Sequence, residues 1–301
     1  MSVRFGAIEL GGTKCVAAVG GADGRIVAET RVPTTAVGAT LGGLVSFFTT
    51  QRDALGPLDA IGIGSFGPLD LDPGSPRHGW ITTTPKPGWA DTDVAGWFRD
   101  ALGVPVALDT DVNAAALGEW RHGAARGANV VVYITVGTGI GGGVLVHGQP
   151  LHGLVHPEIG HLRIPHDRQA DPFDGVCPYH GDCLEGLASG PAMAARWGQP
   201  AETLPASHPG WELEARYLAM ALHNVVCTLS PQRIVLGGGV MTTATLAARV
   251  RRGLAALLGG YVQASAILHA MDHYVVAPGL GSRSGVVGAL ELAARIGSRR
   301  S

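Results

Sequence analysis

VVVYITVGTGIGGGVLVH, residues 130–147, decides how the rest of the chain is read. Val130–Val136 is an apolar run ended by glycine, the signature of a buried strand. Gly137–Gly143 is a glycine-rich turn, and Gly143–His147 returns as a second strand. Gly137-Thr138-Gly139-Ile140-Gly141-Gly142 formally fits G-x-G-x-x-G. The dinucleotide fingerprint, however, needs a helix opening on its third glycine, so that the helix N-terminus meets the pyrophosphate. Gly143–His147 is β-like and too short to be that helix. The turn therefore reads as a hairpin whose backbone N–H groups, with the hydroxyls of Thr135 and Thr138, can cradle phosphate oxygens. An ordinary glycine hairpin is the plain alternative.

Working outward, the same design recurs at the amino end. Val3–Glu9 reads as a strand, Gly11-Gly12-Thr13 as a tight turn and Cys15–Gly20 as the returning strand, a weak echo that hints at duplicated lobes. Glu9-Leu10-Gly11-Gly12-Thr13-Lys14 is not a P-loop, because G-x-x-x-x-G-K-[ST] is absent. A third loop, Gly237-Gly238-Gly239, follows a strand at Arg233–Leu236. A fourth, Gly279–Gly285, opens a last helix at Ser284–Ile296. Further strands are expected at Arg25–Val32, Ile61–Gly64, Val104–Leu108 and His273–Ala277. Helices are expected through Leu41–Phe48, ending at Trp97–Leu102, and at Glu212–Leu229 and Thr243–Leu258. Residues 152–211 are expected to be loop-dominated. Alternating strands and helices define an α/β chain, and four glycine loops at strand ends suit a nucleotide approached closely by main chain.

Composition narrows the options. Among 301 residues, 46% are hydrophobic and 15% charged, which is a globular chain rather than a disordered one. A formal charge of −2 without a basic stripe argues against nucleic acid as a partner. No apolar run is long enough to cross a membrane, so no membrane partner is expected. Four cysteines do not form a secreted disulfide framework at this length, and the cytoplasm is the expected compartment.

Two clusters carry chemistry. Asp109-Thr110-Asp111 stands at the end of a strand and the start of an Ala-rich helix. A carboxylate there can take a hydroxyl proton in phosphoryl transfer, or either acid can simply cap the helix. Cys177, His180 and Cys183 follow the spacing zinc prefers, and one upstream histidine would complete a tetrahedron. The alternatives are surface histidines with free thiols, or a catalytic zinc with an open position; a closed structural site suits a loop poor in apolar residues. Cys15 and Cys227 read as core positions.

Taken together, Glu9–Lys14, Ile134–Gly142 and Val235–Gly239 resemble the phosphate and adenosine loops of the ROK family of sugar kinases, in the superfamily of hexokinase, actin and the heat-shock chaperone ATPases. The resemblance runs from Gly6 to Ala289. It implies a two-lobe, actin-like (ribonuclease H-like) α/β fold with a ligand cleft between the lobes. The small lobe would comprise residues 1–115 plus a C-terminal helix at 285–301, and the large lobe, residues 116–284, would carry a zinc loop. ATP and Mg2+ would bind at Glu9, Gly11, Gly12, Thr13, Lys14, Thr135, Gly137, Thr138, Gly139, Gly237, Gly238 and Gly239. Most of the family has Asp where this chain has Glu9, and the fructokinase-like branch has Glu. The family's catalytic base maps onto Asp111, and its preceding sugar-contacting Asn is replaced by Thr110, leaving Asp109 structural. Gly67 in Ser65–Pro68 matches the sugar-side glycine loop, while Thr82–Trp89 is similar to a lid loop or is a surface loop with one buried Trp. Glu158, His161 and Glu185 would face the sugar, and His161, Cys177, His180 and Cys183 would bind a structural Zn2+.

The resemblance thus implies an ATP-dependent hexose kinase, with fructose as the first choice of substrate, Asp111 as general base and a homodimer as the expected assembly. A glucose or mannose kinase of the same family is the alternative. A sugar-sensing repressor of that family would carry a helix-turn-helix ahead of the first loop, for which Glu9 leaves no room. A zinc-containing NAD-dependent dehydrogenase rests only on the imperfect G-x-G-x-x-G match.

Overall fold

The computed structural model describes residues 3–297, so the termini of the expected small lobe, residues 1–2 and 298–301, lie outside the described residues. In chain order it begins β1 (Phe5–Leu10), β2 (Lys14–Gly20), β3 (Ile26–Pro33), α1 (Val37–Leu55), β4 (Ala60–Ser65), β5 (Trp80–Ile81), β6 (Thr92–Asp93), α2 (Val94–Leu102), β7 (Val106–Thr110) and α3 (Asp111–His122). It continues with β8 (Val130–Val136), β9 (Ile140–Val146), β10 (Gln149–Pro150), α4 (Leu184–Ala188), α5 (Gly190–Trp197), α6 (Gly210–Leu229) and β11 (Arg233–Gly237). It closes with α7 (Leu246–Leu258), α8 (Ser265–His269), α9 (Met271–Tyr274), β12 (Val275–Val276) and α10 (Ser284–Gly297). The chain divides into two compact units. The first runs to Arg126 and adds Gly143–Pro157 and the chain from Gly279 onward, and the second comprises Gly127–Gly142 and Glu158–Pro278.

The first unit is built on a five-stranded sheet of order β3-β2-β1-β4-β7. β1 pairs antiparallel with β2 and parallel with β4, and β4 pairs parallel with β7. Successive side chains of a strand point to opposite faces. Ile8 and Leu10 of β1 therefore enter a core with Leu41, Leu44 and Phe48 of α1 and Phe98 of α2. Phe5 and Ala7 enter the opposite core with Val286, Leu290 and Ala293 of α10. That alternation places Glu9 on the α10 face, and Lys14 beside Val16 on the same face.

Glycines set how tightly α10 seats. A Cβ on Gly62 of β4 would stand 1.9 Å from the Ala289 carbonyl oxygen, and one on Gly288 would stand 1.6 Å from that of Ala114 in α3. Glu119, fully buried in α3, fixes the entry to α10. Its carboxylate accepts hydrogen bonds from the N–H groups of Ala124, Gly279 and Leu280 and from Ser284 Oγ, at 2.7–2.9 Å. A buried charge is tolerated when it is satisfied this fully.

The second five-stranded sheet has the order β10-β9-β8-β11-β12, and the division between the units falls inside β9. β11 pairs parallel with β8 and β12. Within the second unit α6 and α7 pack closely: a Cβ on Gly253 of α7 would stand 2.9 Å from the Ala219 Cβ of α6.

Several elements differ from expectation. The helix expected at Leu41–Phe48 extends over Val37–Leu55, because its polar flanks continue the turns that the apolar stripe alone marks. The strand expected at His273–Ala277 shrinks to Val275–Val276, preceded by the helical turn α9. The expected loop region 152–211 is mostly loop but contains two short helices, α4 and α5, of which α5 is capped by Ser189 accepting from Ala192 N–H, with Pro191 in its first turn. Cys227, expected in the core, is exposed. Val225 and Val226 take the inward positions of α6, and one further residue, a rotation of about 100°, turns the thiol outward.

Gly288→Ala should destabilise the first unit, since backbone rather than a flexible side chain occupies the space. A cost of about 1–3 kcal/mol is expected for such overpacking. Thermal unfolding monitored by circular dichroism should show a fall of several degrees, whereas Gly42→Ala, whose Cβ meets nothing within 4 Å, should show none.

Candidate active site and metal centre

In the first unit, the turn Gly11–Thr13 joins β1 to β2, with Gly12, Thr13 and Lys14 exposed. The end of β3 pins this turn: Thr34 N–H donates to the Thr13 carbonyl at 2.9 Å and Thr34 Oγ1 to the Gly11 carbonyl at 2.6 Å. Cys15 is buried, with Sγ 3.1 Å from Thr34 Oγ1. Glu9 lies against the start of α10, where Gly285 lacks the Cβ that would stand 2.5 Å from the Glu9 carboxyl carbon. Burial first, then the negative charge of Asp111, pushes the Glu9 carboxyl up to about 7, against the pull of Lys14 and a hydrogen bond from Val286 N–H. Its Oε2 is buried with no hydrogen-bond partner among the described residues.

Asp111 is the first residue of α3, and its Oδ1 accepts from Val112 N–H at 2.9 Å. Burial pushes its carboxyl up to about 6 despite that bond. Gly64, on the neighbouring β4, leaves room for it, since a Cβ there would stand 3.3 Å from Asp111 Cα. The helix cap is Thr110, which accepts from Asn113 N–H at 3.1 Å. So Thr110, rather than either aspartate, does the capping, and the hydrogen of its own hydroxyl is uncommitted among the described residues. Asp109 is buried and accepts from its own neighbour Thr110 N–H, from Asn113 Nδ2 and from His152 Nε2. Gly67 packs against the His156 ring, 3.4 Å from where its Cβ would be. Trp89 is fully buried and donates from Nε1 to the Thr35 carbonyl at 2.8 Å, which makes it a core residue of its loop.

In the second unit, the hairpin between β8 and β9 is closed by Gly137 N–H donating to the Gly139 carbonyl at 2.9 Å. The Gly137 carbonyl accepts from Gly190 N–H at the start of α5, at 2.8 Å. Gly238 has φ of +99° and sits so close to β8 that a Cβ would meet the Val136 carbonyl oxygen at 2.3 Å. This approach brings Gly237–Gly239 beside Gly137, whose Cβ would be 4.0 Å from Gly239 N. Two of the expected nucleotide loops are thus neighbours. Thr138 is exposed and Thr135 partly so. Glu185 of α4 accepts from Ile140 N–H through Oε2 at 2.9 Å, and a Cβ on Gly139 would stand 2.7 Å from that oxygen. Glu158 is exposed ahead of a short turn, where its carbonyl accepts from His161 N–H at 3.0 Å.

His161, Cys177, His180 and Cys183 gather their ligand atoms within 4.8 Å of one another. His161 Nδ1 lies 3.3 Å from His180 Nδ1, 3.7 Å from Cys177 Sγ and 3.5 Å from Cys183 Sγ, and Cys177 Sγ lies 3.6 Å from His180 Nδ1. A tetrahedron with the bond lengths of zinc requires about 3.4 Å between nitrogens and about 3.6 Å between nitrogen and sulfur. The donor set fits Zn2+. The knuckle is built by reciprocal hydrogen bonds between Cys177 and Gly181. Around it, Asp182 is held by Arg163, His166 and Arg168, which lower its pKa, the bond from His166 most.

The profile of the ROK family matches residues 5–296, and the chain belongs to this family. A fructokinase of Zymomonas mobilis is 47% identical, covering 96% of each chain. A fructokinase of Pediococcus pentosaceus is 42% identical over 96% of this chain and 97% of its own. A solved ROK hexokinase of Thermus thermophilus superposes with a TM-score of 0.79 at 30% identity, covering 99% of this chain and 100% of its own. The fold is accordingly the α/β fold of two-lobe, actin-like ATPases. Among the described residues no helix is long and apolar enough to cross a membrane.

Glu9 offers a direct check on its surroundings. A carboxyl whose pKa is raised by folding costs stability as pH climbs from its unfolded value of 4.5 through about 7, because the ionised form is the one that burial penalises. Glu9→Gln should therefore raise the Tm of the ligand-free protein at pH 8, by a gain on the order of 1–3 kcal/mol, and leave it near wild type at pH 4.

Proposed function

We propose that this protein is an ATP-dependent fructokinase, transferring the γ-phosphoryl group of ATP to D-fructose with Asp111 as general base. The observation that carries this reading is Asp111 itself, a partly buried carboxyl at the start of α3 whose pKa, about 6, suits proton acceptance near neutrality. Identity of 42–47% to two fructokinases, against 30% to the ROK hexokinase, favours fructose among the hexoses.

Phosphoryl transfer asks for positioning, charge neutralisation and a proton acceptor. Backbone N–H groups of Gly11–Thr13, Gly137–Gly139 and Gly237–Gly239, with Lys14 and the hydroxyls of Thr135 and Thr138, are assigned to ATP. The orphaned Oε2 of Glu9 fits a role towards the Mg2+ that accompanies the phosphates. Mg2+ would neutralise charge on the transferred group. Asp111 would accept the proton of the attacking hydroxyl through the oxygen not bonded to Val112 N–H. Gly67, Thr110, Glu158, His161 and Glu185 are assigned to the sugar by the family motifs. His161, Cys177, His180 and Cys183 would hold Zn2+, which supplies structural rigidity beside Glu185. The assembly is proposed to be a homodimer and its compartment the cytoplasm.

Asp111→Asn should lower kcat with D-fructose by about 10²–10⁴-fold, while fructose affinity stays within severalfold of wild type. A coupled ADP-release assay over D-fructose, D-mannose and D-glucose checks both claims, and kcat within twofold of wild type would remove Asp111 from the reaction. Elemental analysis should find one zinc per chain. Cys183→Ser should lose that zinc, and the protein should unfold at a lower temperature.

A further inference from the structure

His152 belongs to none of the motifs discussed above, yet it is held by a buried acid, Asp109, that stands two residues before Asp111 in the chain. Asp109, with a side chain 4% exposed, takes His152 Nε2 at 3.1 Å from Oδ2. A carboxylate has no hydrogen to give, so Nε2 carries the hydrogen and the tautomer is set. The other ring nitrogen, Nδ1, makes no hydrogen bond among the described residues, and 38% of the side chain is exposed. Four positions on, His156 anchors the same segment: its Nε2 accepts from Leu69 N–H at 3.0 Å, and its ring lies against Gly67. The segment Leu151–Pro157 is thus tied to the Gly67 loop and to the strand end that carries Thr110 and Asp111. A surface histidine needs no buried carboxylate to orient it, whereas a recognition group does.

We propose that His152, oriented by Asp109, recognises the acceptor sugar, its Nδ1 exchanging a hydrogen bond with a sugar hydroxyl. Neutral, Nδ1 accepts a hydroxyl hydrogen; protonated, it donates to a hydroxyl oxygen. A polyol answers both. This inference rests on the sugar-kinase reading and adds a specificity residue to it.

The competing account is that the ring does no more than satisfy Asp109. Two variants separate these accounts. His152→Gln keeps an N–H where Nε2 sits and so keeps the bond to Asp109, but it loses the nitrogen at Nδ1. His152→Ala loses both. Calorimetric titration with D-fructose in the absence of nucleotide should show affinity weakened about tenfold in both variants, the scale of one lost hydrogen bond. Binding of a non-hydrolysable ATP analogue should be unchanged, and the Tm of His152→Gln should stay at the wild-type value. Wild-type fructose affinity in His152→Gln would overturn the inference and leave the kinase reading standing. Weakened fructose binding in both variants, in a wild-type protein that transfers no phosphoryl group, would support the inference and remove the kinase reading. A wild-type protein that binds no hexose would overturn both.

Discussion

The first unit depends on one close contact, the seating of α10 against α3 and β4 at backbone distance. Gly62 and Gly288 make it sterically possible, and the fourfold-bonded carboxylate of Glu119 fixes where the helix begins. The two acids of the candidate site sit on that frame. Glu9 is pressed under the first turn of α10, and Asp111 is the first residue of the helix that α10 packs against. Any rotation of α10 about its axis would drive a side chain into a carbonyl. The seated helices thus back up the single backbone hydrogen bonds that Glu9 takes from Val286 N–H and Asp111 from Val112 N–H.

Much of this was legible in the sequence, for physical reasons that differ between elements. β1, β2, β8 and β11 are short apolar runs stopped by glycine, so pattern and punctuation agree. Cys177, His180 and Cys183 were legible because metal-ligand spacing within a tight loop is local, whereas His161, sixteen residues before Cys177, was implied only by the family resemblance; the four do converge. The pairing of Gly137 with Gly239, about a hundred residues apart, was expected only as ligand chemistry, while the structure brings the loops together through the φ > 0 turn at Gly238.

What stayed hidden is instructive as well. Glu119 reads as one charged residue at the end of an Ala-rich helix, and its partners at 279–284 come from the other end of the chain. His152 and His156 lie in a stretch visibly rich in turn residues and histidines, but their bonds to Asp109 and to Leu69 N–H leave no mark in the sequence. Cys227 follows two valines and looks apolar by composition, yet a single step around the helix exposes it. In each case the deciding fact is a direction in space, which composition does not carry. Thr110 shows the converse: its position before an Ala-rich helix invites an aspartate cap, and the neighbouring hydroxyl takes that role.

One oxygen of Glu185 is spoken for by Ile140 N–H, at the foot of the hairpin that bears Gly137 and Gly139. A carboxylate offers only two. Whatever engages the second will redistribute charge over both, and the hairpin amide will register the change as a stronger or weaker hold. Thermodynamic linkage makes such a dependence mutual: whatever free energy a guest on the second oxygen adds to or takes from the hairpin, a ligand of the hairpin adds to or takes from that guest. With a sugar on its second oxygen, as proposed, Glu185 would be a shared joint, and exchanging it for a shorter acid would disturb both ends at once.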